Sequence, residues 1–399
     1  PPIGGGGVPR ALKMAKYLGE FGWQPHVLTV EPEYHATLDE SLLAQLPPHV
    51  VIHRARELSL GRRAFLPGAG SPGGNASGAA SASGAAVSGA AASGSAVSGA
   101  AVSGTVAASW KRRLFPFLKR IKNAVFIPDD QILWLPAAVR RGMEAIRGHG
   151  IDAIFSTSGP VTNHLVALYL KRRTGLPWIA DFRDPWTQNM HRTNLRWREW
   201  LEDRLERMVH RESDLLVTVT ESFARNFRAK FGEELRRVEV IHNGFDPDDY
   251  RELEGVRRPE EERDRWTLVY AGIFYKERNP RLLLRAVREL IDEGRLDPGE
   301  IRLRFAGVFD YPGYSDNVDC VRALGLEPAV EILGHLPHRR ALEEMNKADL
   351  LLLVGDTAPG SGDYIPGKLY EYMAVGRPIL ALAVPGEAAS IVERHRLGA

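Results

Sequence analysis

Cysteine is nearly absent from this chain of 399 residues, which contains only Cys320. A single cysteine excludes an intramolecular disulfide and is typical of a protein that works in a reducing compartment. Long hydrophobic runs are absent as well, because no stretch approaches the roughly 18 consecutive apolar residues of a membrane-spanning helix. The sequence therefore excludes a disulfide-stapled scaffold and an ordinary membrane span.

An excess of charge of one sign is also lacking, since 52 basic residues face 50 acidic ones. This balance gives no overall reason to expect a nucleic-acid partner. The twelve histidines do not cluster in the sequence at metal-ligand spacing, and no Asp-x-Asp pair ends an apolar run. We therefore expect no metal site and no cofactor.

Bulky side chains are missing from residues 66–109, where alanine, glycine and serine dominate. A segment of this composition has little to bury, so we predict a flexible, disordered insertion.

Elsewhere, short apolar runs alternate with helical patterns. The runs are HVLTV, VVIHRAR, DAIFSTS, PWIADF, DLLVTVT, VEVIHN, TLVYAG, IRLRFAG, VEILGH, DLLLLVG and RPILALAV. Continuous apolar strands alternating with helices predict buried parallel sheets. The charged stretch 251–265 is a candidate linker between an N-terminal α/β domain, 1–250, and a C-terminal one, 266–399. In such folds ligands bind at the carboxyl ends of the strands, and the cleft between two domains is the natural site.

The segment 195–212 has the period of a helix. Its apolar stripe, which begins with Trp197 and Trp200, is predicted to face the core.

The segment GDYIPGKLYEYMAVGRPILAL, 362–382, has the most specific pattern. Asp363 and Glu371 flank a transition from loop to helix, and Lys368 lies at the expected start of that helix. Free backbone N–H groups, the positive end of the helix dipole and an ammonium group together suit a diphosphate. A carboxylate one turn further along the helix can accept hydrogen bonds from ribose or sugar hydroxyls.

This segment resembles the signature of the family 4 glycosyltransferases, which have the GT-B fold of two Rossmann-like domains facing each other across a cleft. The resemblance implies that Asp363 addresses the transferred sugar and Glu371 the nucleotide ribose. The family's first carboxylate is a glutamate, so the shorter Asp363 puts the sugar preference in question. The resemblance also implies that residues 1–250 form the acceptor-side domain and that residues 266–399 form the domain that binds the nucleotide sugar.

Other segments follow in family order. PPIGGGGVPR resembles the family's first glycine loop, YAGIFYKERNPRLLLRA the first strand–loop–helix of the donor domain, and LGHLPHRRALEEMNKADLLLLV the segment beside the nucleobase. The resemblance implies donor-binding positions at Gly6, Gly7, Gly272, Arg278, Leu336, Ile365, Gly367, Leu369 and Glu371. Lys276 and Lys368 are the candidates for stabilising charge on the diphosphate, and with Asp363 and Arg183 they form the predicted catalytic set.

The block WIADFRDPWTQN follows a predicted strand and carries Asp181, Arg183 and Asp184. FRDPW resembles a subset of family 4 enzymes from bacterial polysaccharide assembly, which implies that these residues face the substrates. The alternative is an Asp–Arg pair that holds a loop in place. The nearby STSGPVTNH ends in His164, a further acceptor-side candidate.

The segment 110–126, WKRRLFPFLKRIKNAVF, has six basic residues and no acidic one. It is interpreted either as an interfacial helix on anionic lipid or as an ordinary helix with a solvated basic face.

These patterns and the resemblance together predict a metal-independent glycosyltransferase of hexosyltransferase type, and the resemblance implies that it retains the anomeric configuration of the donor. It would move a sugar from a nucleotide-diphosphate sugar to a glycan or polyprenol-linked acceptor in cell-envelope or exopolysaccharide synthesis. Its expected location is the cytoplasm, at the inner face of the plasma membrane. A nucleotide-sugar epimerase of the same fold and an inactive nucleotide-binding fragment are the alternatives.

The glycine loop has no apolar strand before it, and the chain stops where the family continues with another strand and helix. The first strand of a doubly wound sheet is normally central. We therefore expect a gap or distortion in the N-terminal sheet and a longer native protein.

Overall fold

The computed structural model describes residues 8–32, 41–57, 126–189 and 195–399, except residues 252, 254, 257, 261–263, 276 and 312. The Ala/Gly/Ser insertion, the glycine loop and all but the last residue of the basic segment lie outside this range. The predictions made for those three segments therefore stay predictions.

The described residues alternate between strands and helices. The strands are β1 (His26–Val30), β2 (Val51–Ala55), β3 (Ile154–Thr157), β4 (Trp178–Phe182), β5 (Leu215–Thr218), β6 (Val238–Val240), β7 (Trp266–Ile273), β8 (Ile301–Val308), β9 (Val330–Gly334), β10 (Leu350–Val354) and β11 (Ile379–Leu382). The helices are α1 (Val8–Tyr17), α2 (Ser41–Ala44), α3 (Leu135–His149), α4 (Thr162–Thr174), α5 (Arg196–Glu212), α6 (Glu221–Phe231), α7 (Asp248–Arg251), α8 (Arg281–Asp292), α9 (Asp316–Ala323), α10 (His338–Lys347), α11 (Gly367–Val375) and α12 (Glu387–Arg394). Each of the eleven apolar runs overlaps one of these strands, which confirms the predicted α/β class.

The chain divides into two compact units. The first takes the described residues up to Val219 together with Phe223–Ile241, and the second takes Thr220–Ser222 and His242–Ala399. The division between the larger parts therefore falls at Ile241, ahead of the stretch 251–265 that the sequence suggested as a linker.

The second unit is built on one parallel sheet with the strand order β11-β10-β7-β8-β9. The inner strands β7, β8 and β10 are the most buried because helices cover both faces of a parallel sheet. One face packs on α10, α11 and α12 through a cluster that includes Leu351, Leu369 and Tyr372. The other face packs on α8 and α9 through a cluster that includes Tyr270, Leu284 and Phe305.

In the first unit, the described strands form two separate parallel sheets, β1-β2 and β3-β4-β5-β6. Helix α3 contacts both strands of the smaller sheet as well as α4, which lies on β3 and β4. A Cβ on Gly142 of α3 would meet Leu28 of β1 at 3.3 Å, so a glycine allows the helix to approach the sheet closely. The expected break in the N-terminal sheet is confirmed within the described residues.

Helix α5 forms where its period indicated, but the prediction that its tryptophans face the core is wrong. Trp197 and Trp200 are 51% and 60% exposed. The buried face instead carries Arg198, Glu202, Glu206, Val209 and His210. This polar face can be buried because its charges are partnered, as in the 2.6 Å ion pair from Arg198 Nε to Glu202 Oε1.

Among the described residues, no helix combines the length and the apolar character needed to cross a membrane.

Candidate functional site

The candidate site of the second unit lies where strand β7 ends and helix α11 begins. Tyr372 of α11 holds the two elements together, since its hydroxyl donates to the carbonyl of Leu352 at 3.0 Å and accepts from the N–H of Ala271 at 3.3 Å. Pro366 precedes the helix, no side chain caps its first turn, and no acidic residue lies there. The positive end of the α11 dipole is therefore not neutralised by its own first turn.

Lys368, in the first turn of α11, is half-buried as a residue, but its ammonium nitrogen is enclosed. Among the described residues, Nζ has no hydrogen-bond partner and lies 3.8 Å from the ring centroid of Tyr270. Burial and the positive charge of Arg278 lower the pKa of Lys368 well below its ordinary value, while Glu371 acts in the opposite direction. A buried amine without an acceptor is costly, which is typical of a group that awaits an anionic ligand.

Arg278 brings a second cation to the same place. Its guanidinium lies over the ring of Tyr275, 5.4 Å from the centroid, and its Nε is buried without a hydrogen-bond partner among the described residues. The loop that carries it is closed by a 2.8 Å hydrogen bond from the N–H of Tyr275 to the carbonyl of Arg278. Two neighbouring cations that repel each other form a site that an anion would stabilise.

Gly272, at the end of β7, leaves room for these cations. A Cβ at this position would collide with Lys368 Nζ and would lie 3.3 Å from the hydroxyl of Tyr270. Its φ of +150° is also one that other residues rarely adopt. The absence of a side chain at Gly272 therefore keeps the space in front of Lys368 open.

The two carboxylates of the sequence motif both lie close to Lys368 along the chain. Glu371 is on α11 one turn after Lys368, and its Oε1 lies 3.1 Å from His338 Nε2 at the start of α10. Asp363 ends a short 3₁₀ turn, Ser361–Asp363, and is half-buried. Glu371, with its side chain about one-third exposed, can accept hydrogen bonds from a ligand.

The remaining predicted donor residues differ in what their side chains do. Ile365 and Leu369 are buried in the core cluster under α11, so only their main chain is available to a ligand. Gly367 is exposed, and Leu336 lies half-buried in the connection from β9 to α10. Gly6, Gly7 and Lys276 lie outside the described residues, so their roles stay predictions.

In the first unit, Asp181 lies at the end of β4 and is fully buried. It accepts hydrogen bonds from Arg10 NH2 at 2.8 Å and from Thr157 Oγ1 at 2.7 Å. Arg10 also donates to the carbonyl of Ile241 at 3.1 Å. Asp181 therefore ties α1 to the ends of β3 and β4, and its acceptor-side role stays a prediction.

Arg183 and Asp184, which are neighbours in the chain, form an ion pair. Arg183 donates to Asp184 Oδ2 from Nε at 3.0 Å and from NH2 at 2.8 Å. The guanidinium packs against Gly159, whose added Cβ would lie 3.1 Å from NH2. Asp184 remains partly exposed, with 27% of its side chain accessible, so this pair presents a charged rim at the end of β4.

His164 lies in the core, not on a surface. It is fully buried, its Nδ1 is 2.8 Å from Ser156 Oγ, and its ring stacks on Phe182 with centroids 4.3 Å apart. Burial, followed by the charge of His210, lowers the pKa of His164 to about 3. A neutral, buried imidazole is suited to packing, and contact with an acceptor would require its exposure.

Two structural findings were missed by sequence reasoning. The first is a cluster of three histidines, because His26, His53 and His149 come together with ligand atoms within 4.8 Å of one another. The expectation of no metal site stays a prediction. Arg10, the partner of Asp181, was also missed. No local pattern indicates either group, because their members are far apart in the chain and meet only after the strands pair.

Comparison with known proteins identifies both halves of the chain. Residues 96–249 match the description "Glycosyltransferase Family 4", and residues 265–398 match "Glycosyl transferases group 1".

Individual relatives agree with these matches. The chain is similar to a 2-deoxystreptamine glucosyltransferase from Streptomyces kanamyceticus, at 27% identity over 46% of each chain. It is also similar to a glycogen synthase from Mycobacterium tuberculosis, at 28% identity over 54% of this chain and 50% of the relative. The chain thus spans about half the length of the curated relatives it matches.

A solved glycosyltransferase from Rickettsia africae has a similar fold, with a TM-score of 0.53 and 12% identity. That similarity covers 98% of this chain and 84% of the other. By the two family matches and this fold, the chain belongs to the family 4 and group 1 glycosyltransferases, whose GT-B fold has two Rossmann-like domains.

Proposed function

We propose that this protein is a retaining glycosyltransferase that moves a hexosyl group from a nucleotide-diphosphate sugar to a glycan or lipid-linked acceptor. The observation that carries the proposal is the enclosed ammonium of Lys368, which lacks a hydrogen-bond partner among the described residues and lies in the electrostatic range of Arg278. The name of the matched Streptomyces relative, a glucosyltransferase, supports hexosyl transfer.

The diphosphate of the donor matches the charge of the site. Its oxygens would accept hydrogen bonds from Lys368, from Arg278 and from the first N–H groups of α11. Glu371, one turn along α11, would hold the ribose hydroxyls, and Asp363 would address the transferred sugar. The main chain beside Leu336 and Ile365 would contact the base.

The leaving diphosphate gains negative charge as the bond to the sugar breaks. Lys368 and Arg278, with Lys276 as the third predicted cation, would stabilise this charge in the role that a metal ion has in other transferases, so the proposed reaction needs no metal. Loss of one well-placed donor in comparable sites costs about 3–4 kcal/mol of transition-state stabilisation. Retention follows if the leaving diphosphate takes the acceptor proton on the face from which it departs.

The acceptor side is proposed from the sequence. The FRDPW block and the basic segment 110–126 support an acceptor on a lipid carrier at the inner face of the plasma membrane, and a role in cell-envelope or exopolysaccharide synthesis. The charged rim of Arg183 and Asp184 would then line the acceptor side of the first unit.

The donor is tested first by thermal shift with UDP-, GDP- and ADP-sugars. We expect one nucleotide class to raise the melting temperature of the wild type, because a ligand of the folded state stabilises it by mass action. The variant Lys368→Met should lose this shift, while its own melting temperature without ligand should rise, since an apolar side chain replaces a buried amine that lacks an acceptor. Lys347→Met, which removes a lysine paired with Glu344 on α10, is the matched control and should keep the shift.

Turnover is tested with the donor that binds. Lys368→Met should lower turnover at least about tenfold, and NMR of the product should show the anomeric configuration of the donor. Wild-type turnover in Lys368→Met would contradict the proposed site. Conversion of the nucleotide sugar without any acceptor would contradict transfer in favour of epimerisation, and nucleotide binding without transfer would favour a non-catalytic protein.

A further inference from the structure

Three histidines meet on one face of the small sheet in the first unit. In the pairing of β1 with β2, Val51 lies opposite His26 and His53 lies opposite Leu28. Because alternate residues of a strand share a face, His26 and His53 are diagonal neighbours on one side of the sheet. Their Nδ1 and Nε2 atoms are 2.9 Å apart.

Helix α3 supplies the third imidazole from above this face. Gly142 brings the helix close to Leu28, and His149 follows seven residues later, two turns along the same side. The ring centroid of His149 lies 4.7 Å from that of His26 and 5.2 Å from that of His53. The three rings converge because close helix packing and parallel strand register both direct them to the same point.

We propose that His26, His53 and His149 form a binding site for a divalent transition-metal ion, with Zn²⁺ as the expected occupant. One ligand atom of each ring lies within 4.8 Å of the other two. A tetrahedral Zn²⁺ with Zn–N bonds of 2.0–2.1 Å separates its ligand nitrogens by about 3.3 Å. The His26–His53 pair is already close to that separation, and the exposed His149 needs only a modest side-chain rotation.

The lowered pKa values of two of the rings favour the binding of a metal ion. Burial lowers the pKa of His26 and of His53, and in each case neighbouring imidazoles lower it further. The lowered pKa values favour the neutral form of His26 and His53, in which each ring offers a nitrogen lone pair. A neutral ring is the form that binds a metal ion.

The surroundings of the three rings suit a metal ion that keeps one coordination position open to solvent. His149 ends α3, where the unsatisfied carbonyls form the negative end of the helix dipole. Arg141 lowers the pKa of His53 and opposes a cation, but its guanidinium is paired with Glu144 at 3.0 Å. Three imidazoles with an exposed side resemble the donor set of zinc sites that keep a fourth position for water. A bound ion would join the end of α3 to both strands of the β1-β2 sheet.

The test uses the full chain without an affinity tag and ZnCl₂ as the probe, followed by isothermal titration calorimetry and thermal denaturation. We expect saturable binding of one ion per chain and a higher melting temperature with Zn²⁺. Titration with Co²⁺ should give the visible absorption of a tetrahedral site. Absence of saturable binding would overturn the proposal.

The ligand assignment is tested with variants of the exposed histidine, whose replacement leaves the core intact. His149→Ala should weaken Zn²⁺ binding at least about tenfold, whereas His149→Cys should retain binding because a thiolate is also a zinc ligand. His395→Ala, which removes an exposed histidine directly after α12, is the matched control and should bind as the wild type does. Equal affinity of the wild type and His149→Ala would overturn the site, as would failure of His149→Cys to bind.

Discussion

Individual side chains show how strongly burial changes charge in this protein. His164 and Lys368 are both enclosed, and burial is the first cause of the lowered pKa in each. Their partners differ, since His164 has a hydroxyl partner in Ser156 and is suited to stay neutral. Lys368 has no acceptor among the described residues, so it is the side chain of the two that a ligand would change.

The lowered pKa of His164 predicts a dependence of stability on pH. The unfolded chain binds a proton with a pKa near 6.5, and the folded chain does so only at about 3. The contribution of His164 is therefore complete above pH 6.5 and is lost as the pH falls from 6.5 toward 3. Between pH 7 and pH 5 this loss amounts to about 2 kcal/mol.

The measurement compares urea unfolding of the wild type and His164→Gln at pH 7 and pH 5. The variant should be less stable at pH 7 and should lose about 2 kcal/mol less on acidification. Other groups also titrate as the pH falls. For the buried Glu206, burial raises the pKa, but His210, Lys230 and Thr187 lower it by more, so its contribution is lost only below its ordinary pKa of 4.5. Only the difference between the two proteins in the free energy of unfolding lost from pH 7 to pH 5 therefore reports on His164. Equal losses in the two proteins would contradict the prediction.

At the scale of elements, the strands could be predicted and the orientation of one helix could not. Runs such as that of β10 are apolar on both faces, and this pattern identifies a strand buried on both sides. In α5 the spacing Glu202, Glu206, His210 is as helical as that of the tryptophans. The partners that make this polar face the buried one, such as Thr187 and Lys230, lie on other elements.

The end of strand β8 gives a prediction for element packing. Gly307 lies opposite Gly272 in the register, has a φ of +119°, and an added Cβ would collide with the carbonyl oxygen of Gly272. Gly307→Ala should therefore destabilise the second unit by about 2 kcal/mol or more, from strain and from separation of the strand ends.

Thermal unfolding measures this effect against a matched glycine. Gly244 is exposed, and a Cβ there would meet no heavy atom within 4 Å, so Gly244→Ala should change stability by less than about 0.5 kcal/mol. Similar melting temperatures for the two variants would show that the strand ends accommodate a methyl group.

At the scale of the whole molecule, the sequence was sufficient for the α/β class and for the position of Lys368 in the first turn of α11. The position of Lys368 could be predicted because the loop, the start of the helix and the lysine are adjacent in the chain. The histidine cluster could not be predicted, since residues 26, 53 and 149 meet only through strand register and helix packing. The described strands of the first unit lie in two separate sheets, as expected.

The buried amine of Lys368 has a consequence for the energetics of nucleotide binding. With its pKa well below the ordinary value, the group loses its proton more readily than an exposed lysine. A diphosphate placed beside it favours the charged form, so binding of the proposed donor would be accompanied by proton uptake from the buffer.

Calorimetry detects this linkage directly. The observed binding enthalpy of a nucleoside diphosphate should change with the ionisation enthalpy of the buffer, and affinity should decrease as the pH rises. Lys347→Met should behave as the wild type does, whereas an enthalpy that is the same in all buffers would mean that Lys368 keeps its proton throughout. If the enthalpy does change with the buffer, the protein exchanges protons with its surroundings each time it binds or releases a nucleotide.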